Sequence, residues 1–187
     1  PQDVHETGRR EMDRLMTEMK AIGEQSFQTS DVPALLQKLR SDPRYLFRSR
    51  EELIAYSQAA LERAKAAAPD WFGLLPRADV RVEPYPKFRE KNGSNEYNAP
   101  AEDGSRAGLF YINAYQAEKK SRSPAESTAF HETIPGHHLQ MAIALERKDS
   151  HPISRYLFNS GFAEGWGLYA ERLADDMKLY SSSLDRI

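Results

Sequence analysis

Cysteine is absent from all 187 residues. That one absence removes thiol nucleophiles, disulfide scaffolds, cysteine-ligated zinc and iron–sulfur clusters together. Any metal site must be built from His, Asp and Glu. An excess of either charge is missing as well: 26 Lys and Arg stand against 28 Asp and Glu, a formal net charge of −2, with a pI near 6.3. A nucleic-acid-binding module would carry a basic domain or stripe, so that class is set aside. No run approaches the ~18 consecutive apolar residues of a membrane span. Hydrophobic residues make up 40% of the chain and aromatics 10%, enough for a packed core and too many for wholesale disorder. Histidine is scarce, with five residues, yet four of them fall between His131 and His151.

The chain opens at Pro1 with no initiator Met, no basic n-region and no apolar h-region. It closes shortly after the polar run Ser181-Ser182-Ser183. Both ends suit a segment excised from a longer protein, and the length suits one domain or part of one. Lack of cysteine is compatible with cytoplasm and periplasm alike.

Residues 1–78 read as helical. Met12, Leu15, Met16, Met19 and Ile22 recur at three- and four-residue spacing, the apolar face of a helix over Val4–Ile22. Ser30-Asp31-Val32-Pro33 opens a short helix, Ala34–Arg40. Ser49 with Glu52 forms a capping box for a third helix that Pro69 stops after Ala68. Residues 79–120 change character. Asp79–Tyr85 alternates Val80 and Val82 with charge and predicts a strand, Lys87–Asp103 a long loop, and Leu109–Asn113 a second strand. Residues 121–187 return to helix, beginning at a second capping box, Ser123-Pro124-Ala125-Glu126, and ending in a helix from about Ser160 to Leu179. The expected fold is mainly α with a small antiparallel sheet leaning on the helices.

The chemistry concentrates in His131-Glu132-Thr133-Ile134-Pro135-Gly136-His137-His138-Leu139-Gln140. In metalloproteases a His-Glu pair opens a zinc helix, a second His lies four residues on, and the Glu is the general base. Here Pro135 occupies that position, and His137 and His138 follow six and seven residues after His131. In a straight helix six residues rise ~9 Å, too far for two imidazoles to share one ion. Pro-Gly between them permits a bulge or break that shortens the distance. A third ligand is expected on another element, because catalytic zinc commonly takes three protein ligands and a water. Glu164 and Glu171 lie seven residues apart, close to two helical turns, and share one side of the last helix. Glu164, flanked by small residues, is the candidate ligand, and Glu171 is the candidate to orient a ligand histidine. Zn²⁺ is the expected cofactor.

These stretches, with Asp103–Asn113 upstream, resemble the bacterial DUF885 family, of uncharacterised function and grouped with gluzincin-type metallopeptidases; the likeness covers roughly Val80 to Tyr180. The resemblance implies a zincin-like, mostly helical catalytic core, of which this chain is a fragment, with the zinc helix beside the Glu-bearing helix. In related helical metallopeptidases, such as the carboxypeptidase Taq and oligopeptidase families, a Gly-His pair ends the zinc motif. Gly136-His137 aligns with that pair and favours His137 over His138, which stays in view as an alternative ligand. Family members are usually longer and often exported, some as lipoproteins, which implies export of the full-length protein.

The expected reaction is hydrolysis of a peptide or amide. His131, His137 and Glu164 hold Zn²⁺, which polarises the scissile carbonyl and acidifies a water, and Glu132 takes that water's proton. The Leu109–Asn113 strand is placed to align an extended peptide at a sheet edge. Tyr111, Tyr115, Tyr169 and His138 are candidate oxyanion donors, Tyr111 and Tyr169 also as substrate contacts. A metal- or peptide-binding module without turnover, and a helical interaction domain with a structural histidine cluster, are the alternatives. His151 has no assigned role.

Overall fold

The computed structural model describes residues 1–147, 149, 151, 153, 157 and 159–187. Helices α1 (Gln2–Ile22), α2 (Val32–Ser41) and α3 (Arg50–Trp71) come first. The first turns form where the sequence supplies caps. The Asp31 carboxylate accepts from Ala34 N at 3.0 Å, and Ser49 Oγ accepts from Glu52 N at 3.1 Å while the Glu52 carboxylate reaches back to Arg48 N at 2.6 Å. α3 runs past Pro69 to Trp71. Proline this close to the end removes one bond of the final turn, and Phe72 N still closes on Ala68 O.

Strands β1 (Val80–Pro84), β2 (Glu96–Asn98) and β3 (Gly108–Ile112) form one sheet in the order β1-β3-β2. β3 pairs parallel to β1 and antiparallel to β2, so the sheet is mixed rather than antiparallel. β2, with the short helix α4 (Lys87–Glu90) before it, lies inside what the sequence presents as a loop. Three residues, Glu-Tyr-Asn, carry no alternation to detect; pairing with β3 makes them a strand. Val80, Val82, Phe110 and Ile112 are buried on the sheet face turned to the helices.

Helices α5 (Ala125–Glu132), α6 (His137–Glu146) and α7 (Ser160–Asp176) complete the chain. α3, α5 and α7 pack through alanines, Ala60 and Ala64 on α3, Ala129 on α5, Ala170 and Ala174 on α7, all fully buried. Small side chains let the helices approach closely, and Phe110 and Phe130, both fully buried, fill the space between them and the sheet. Lys178, at φ +59°, ends the last helix short of Leu179.

Two local readings are revised by packing. The apolar stripe of α1 is largely exposed, with Met12 at 71%, and only Ile22 of that helix is buried. Its far end is held by charge instead: Glu18 pairs with Arg172 and Arg186. Glu126 caps nothing. It is fully buried, pairs with Arg63, and accepts from Ser181 N and Oγ at 2.8 Å, which ties the C-terminal segment to α3 and α5. Removing one partner of a buried ion pair leaves a charge without compensation. Arg63→Met should therefore lower the unfolding free energy by about 2 kcal/mol in urea titration, discounted for the part-exposed guanidinium. Adding Glu126→Gln to that variant should recover part of the loss; no recovery would show that the pair is not what stabilises this region.

Candidate metal centre

The helix that begins at Ala125 stops at Glu132, and a new one begins at His137. Between them the chain folds back on itself through Thr133–Gly136, with the Ile134–Pro135 peptide cis. Gly136 N donates to Phe130 O at 3.0 Å, while His138 N and Leu139 N both turn to Thr133 O. A Cβ at Gly136 would lie 1.9 Å from His131 O and 2.4 Å from Phe130 O, so only glycine fits here. Trp166 of α7 fastens the reversal: its indole N–H points at the carbonyls of Pro135 (2.9 Å) and Gly136 (3.2 Å).

This reversal brings His137 back beside His131. Their ring centroids are 4.6 Å apart and nearly perpendicular. Glu164 of α7 approaches both, with a carboxylate oxygen 3.6 Å from His131 Nε2 and 3.8 Å from His137 Nε2. One donor atom from each of His131, His137 and Glu164 lies within 4.8 Å of the others. His137 is buried, and Glu164 is the exposed side of the group, its side chain 57% accessible.

α7 positions His131 in two ways. Glu171, seven residues after Glu164, accepts from His131 Nδ1 at 2.8 Å, which leaves Nε2 facing the cluster. Gly167, on the same side, leaves space for the ring; a Cβ there would be 2.5 Å from its Cε1. The bonded Glu171 carboxylate holds the His131 pKa above its ordinary value, whereas burial pushes His137 below it. Burial also raises the Glu132 carboxyl, against the pull of His131. The backbone N–H of Tyr97 on β2 faces that carboxyl.

His138 points the other way. It is almost fully buried, with Nε2 3.0 Å from Ala78 O and Nδ1 2.9 Å from the Tyr97 hydroxyl. Both ring nitrogens are engaged away from the cluster, and burial pushes its pKa down to about 4. In this neutral ring Nε2–H donates to Ala78, and Nδ1 accepts from Tyr97. Gly108 makes room for it: a Cβ there would be 2.6 Å from Nδ1. His138 is therefore a strut between α6 and the sheet, and its expected ligand or oxyanion role is not available in this geometry.

The tyrosines singled out from sequence are not brought to the cluster. Tyr111 lies on the sheet face opposite Gly108 and Phe110, stacked on Tyr85 at 5.0 Å. Tyr115 lies beyond β3 and is exposed, and Tyr169 faces outward on α7 against Trp166. β3 is the central strand, so the edge next to Glu132 belongs to β2. His151 is exposed, and its Nδ1 accepts from Ile153 N. Tyr97 is the residue that sequence reasoning missed. It stacks beside His137 (6.4 Å between centroids) and bonds to His138, and nothing in its spacing marks it.

Comparison with known proteins agrees with the motif. The DUF885 family, described as bacterial proteins of unknown function, matches residues 1–187. The chain belongs to the DUF885 family. Among curated proteins none matches it. A solved structure described as a "putative lipoprotein" from Colwellia psychrerythraea is similar throughout, with 26% identity and a TM-score of 0.88. The match covers all of this DUF885 chain and 33% of that one, so the chain spans a third of the neighbour's length.

A strut and a ligand differ in what their loss does without metal. His138→Ala should destabilise chelator-treated protein by about 2–4 kcal/mol, since it opens a cavity and strips the Tyr97 hydroxyl and Ala78 carbonyl of partners. Unchanged urea stability of the metal-free variant would overturn the structural role.

Proposed function

We propose that this DUF885 chain carries the zinc site of a peptidase or related amide hydrolase of zincin-like type. His131, His137 and Glu164 would hold the ion, and Glu132 would be the general base. The observation that carries this reading is the convergence of two histidines and a glutamate from three helices beside the half-buried Glu132 carboxyl.

The donor set fits zinc. Ligand atoms around a tetrahedral ion with ~2.0–2.1 Å bonds lie about 3.3 Å apart. The 3.6 and 3.8 Å separations to Glu164 need only small shifts to reach that spacing. His137 turns Nε2, not Nδ1, toward Glu164, so the same ring edge that faces the carboxylate is the one that offers a ligand atom. Three protein ligands, one of them open to solvent, suit a catalytic site better than a closed structural one. Zinc in such a site supplies a Lewis acid for a carbonyl and lowers the pKa of adjacent water.

The chain's own groups supply the rest. Glu132 accepts the proton of the attacking water and returns it to the leaving amine. Its burial keeps its basicity above that of a surface carboxylate. Glu171 holds the His131 ring in one orientation and one tautomer. Edge strand β2 is placed to receive an extended peptide by strand addition beside Glu132. The lipoprotein description of the Colwellia neighbour supports export of the parent protein.

Elemental analysis of protein purified without chelator should find about one zinc per chain, and His137→Ala should abolish its uptake. Protein that takes up no zinc after dialysis against it would rule the reading out. Glu171→Ala should weaken zinc binding by roughly 10–100-fold, the usual cost of losing a group that orients a metal-bound histidine. Glu132→Gln should retain zinc and lose hydrolysis in the full-length enzyme. Stoichiometric zinc with no hydrolysis by the full-length wild type would instead indicate a binding module.

A further inference from the structure

The stripe of α5 that ends in Glu132 continues backward along the helix. Thr128 is four residues before Glu132 and Ala125 seven, so both lie on Glu132's side, ~6 and ~10 Å along the axis. Both residues line a pocket of about 260 Å³ between α5, α3 and β3. Its floor is apolar, with Phe47, Leu53, Phe110 and Ile112 all buried.

Two polar groups of this pocket stand out as donors, the Ser57 hydroxyl and the Lys120 ammonium. Ser57 lines it, is 0% exposed, and has a hydroxyl with no hydrogen-bond partner among the described residues. A buried hydroxyl without a partner costs stability unless something supplies one. Lys120 lines the pocket as well. Its ammonium donates to Asn113 O at 2.6 Å, and among the described residues no carboxylate pairs with it. Burial lowers its pKa with no opposing anion. Asn95, just before β2, also lines the pocket, and its Oδ1 accepts from Asn113 N. Among the described residues no Asp or Glu lines the pocket. One uncompensated cation and a buried free hydroxyl over an apolar floor complement a single carboxylate on an apolar body.

We propose that this pocket binds a carboxylate on a residue-sized group, and so selects peptide substrates with an acidic side chain or a free C-terminus next to the scissile bond. The proposal rests on the hydrolase reading for its consequence, and on Ser57, Lys120 and the pocket's shape for the binding itself. The volume is below the ~300–1,000 Å³ of sites for drug-sized ligands, which limits the occupant to about one residue.

Binding can be measured by calorimetry on chelator-treated protein, where no metal competes for the carboxylate. Three near-isosteric probes separate the possibilities. N-acetyl-glutamic acid α-amide has only a side-chain carboxylate, N-acetyl-glutamine only a terminal one, and N-acetyl-glutamine amide none. At least one carboxylate probe should bind about tenfold or more tightly than the neutral one, and which of them does so identifies the source. Lys120→Met should erase the preference and Lys120→Arg should keep it, while Ser57→Ala should weaken binding several-fold. Equal binding of the three probes, no binding of either carboxylate probe at millimolar concentration, or a preference retained in Lys120→Met would overturn the proposal. Zinc uptake measured on the same samples separates the two readings. Normal uptake without a carboxylate preference removes the pocket alone, and a carboxylate preference without uptake removes the metal site alone.

Discussion

The site depends on the close approach of Gly136 to the carbonyls of Phe130 and His131. A side chain at that position would overlap both oxygens, and the chain could not turn back between α5 and α6. Without the turn, His131 and His137 would be about two helical turns apart on diverging faces. With it, their rings meet at 4.6 Å. Trp166 then ties the turn to α7, the helix that also contributes Glu164 and Glu171. One contact thus sets the distance between the histidines, and a second sets their distance from the glutamates.

Glycine has a different use at each of three places around this centre. Gly136 admits backbone against backbone, Gly167 admits the His131 ring onto α7, and Gly108 admits the His138 ring onto the sheet. The last two sit under adjacent parts of one motif that face opposite ways. His137 turns to the cluster and His138 to Tyr97 and Ala78. Consecutive helical residues diverge by about 100°, so the pair cannot serve one ion together. Having fixed one toward α7, the fold gives the other to the sheet, and through Tyr97 this second histidine braces the strand that borders Glu132.

Much of this architecture was legible in residue order. The capped starts of α2 and α3, the alternation of β1, the β-branched and aromatic run of β3, and the helical return after residue 120 all arise from local rules, and the structure has them. The sheet was legible only in part. β2 has no pattern of its own, and the parallel pairing of β1 with β3 depends on β2 lying on the far side of β3. The periodicity of α1 signals a face to be covered, yet Met12, Leu15 and Met16 are exposed; period alone says nothing about which surface does the covering. Glu126 had the spacing of a cap and became a buried ion-pair partner, because Arg63 and Ser181 come from distant parts of the chain.

By itself the sequence determined the ingredients. With no cysteine, any site of this kind had to use His and Glu, and the two motifs placed those residues on helices with a break between the histidines. Helical period put Glu164 and Glu171 on one side, since seven residues are nearly two turns. Tertiary structure alone decided which residues meet. It turned His138 away from His137, moved Tyr111 to the far face of the sheet, and brought Tyr97 to the site from an unpatterned segment. It also gathered Ser57 and Lys120 around one pocket from positions 63 residues apart. Local spacing fixes directions along one element; contacts between elements depend on packing, which no single stretch of sequence contains.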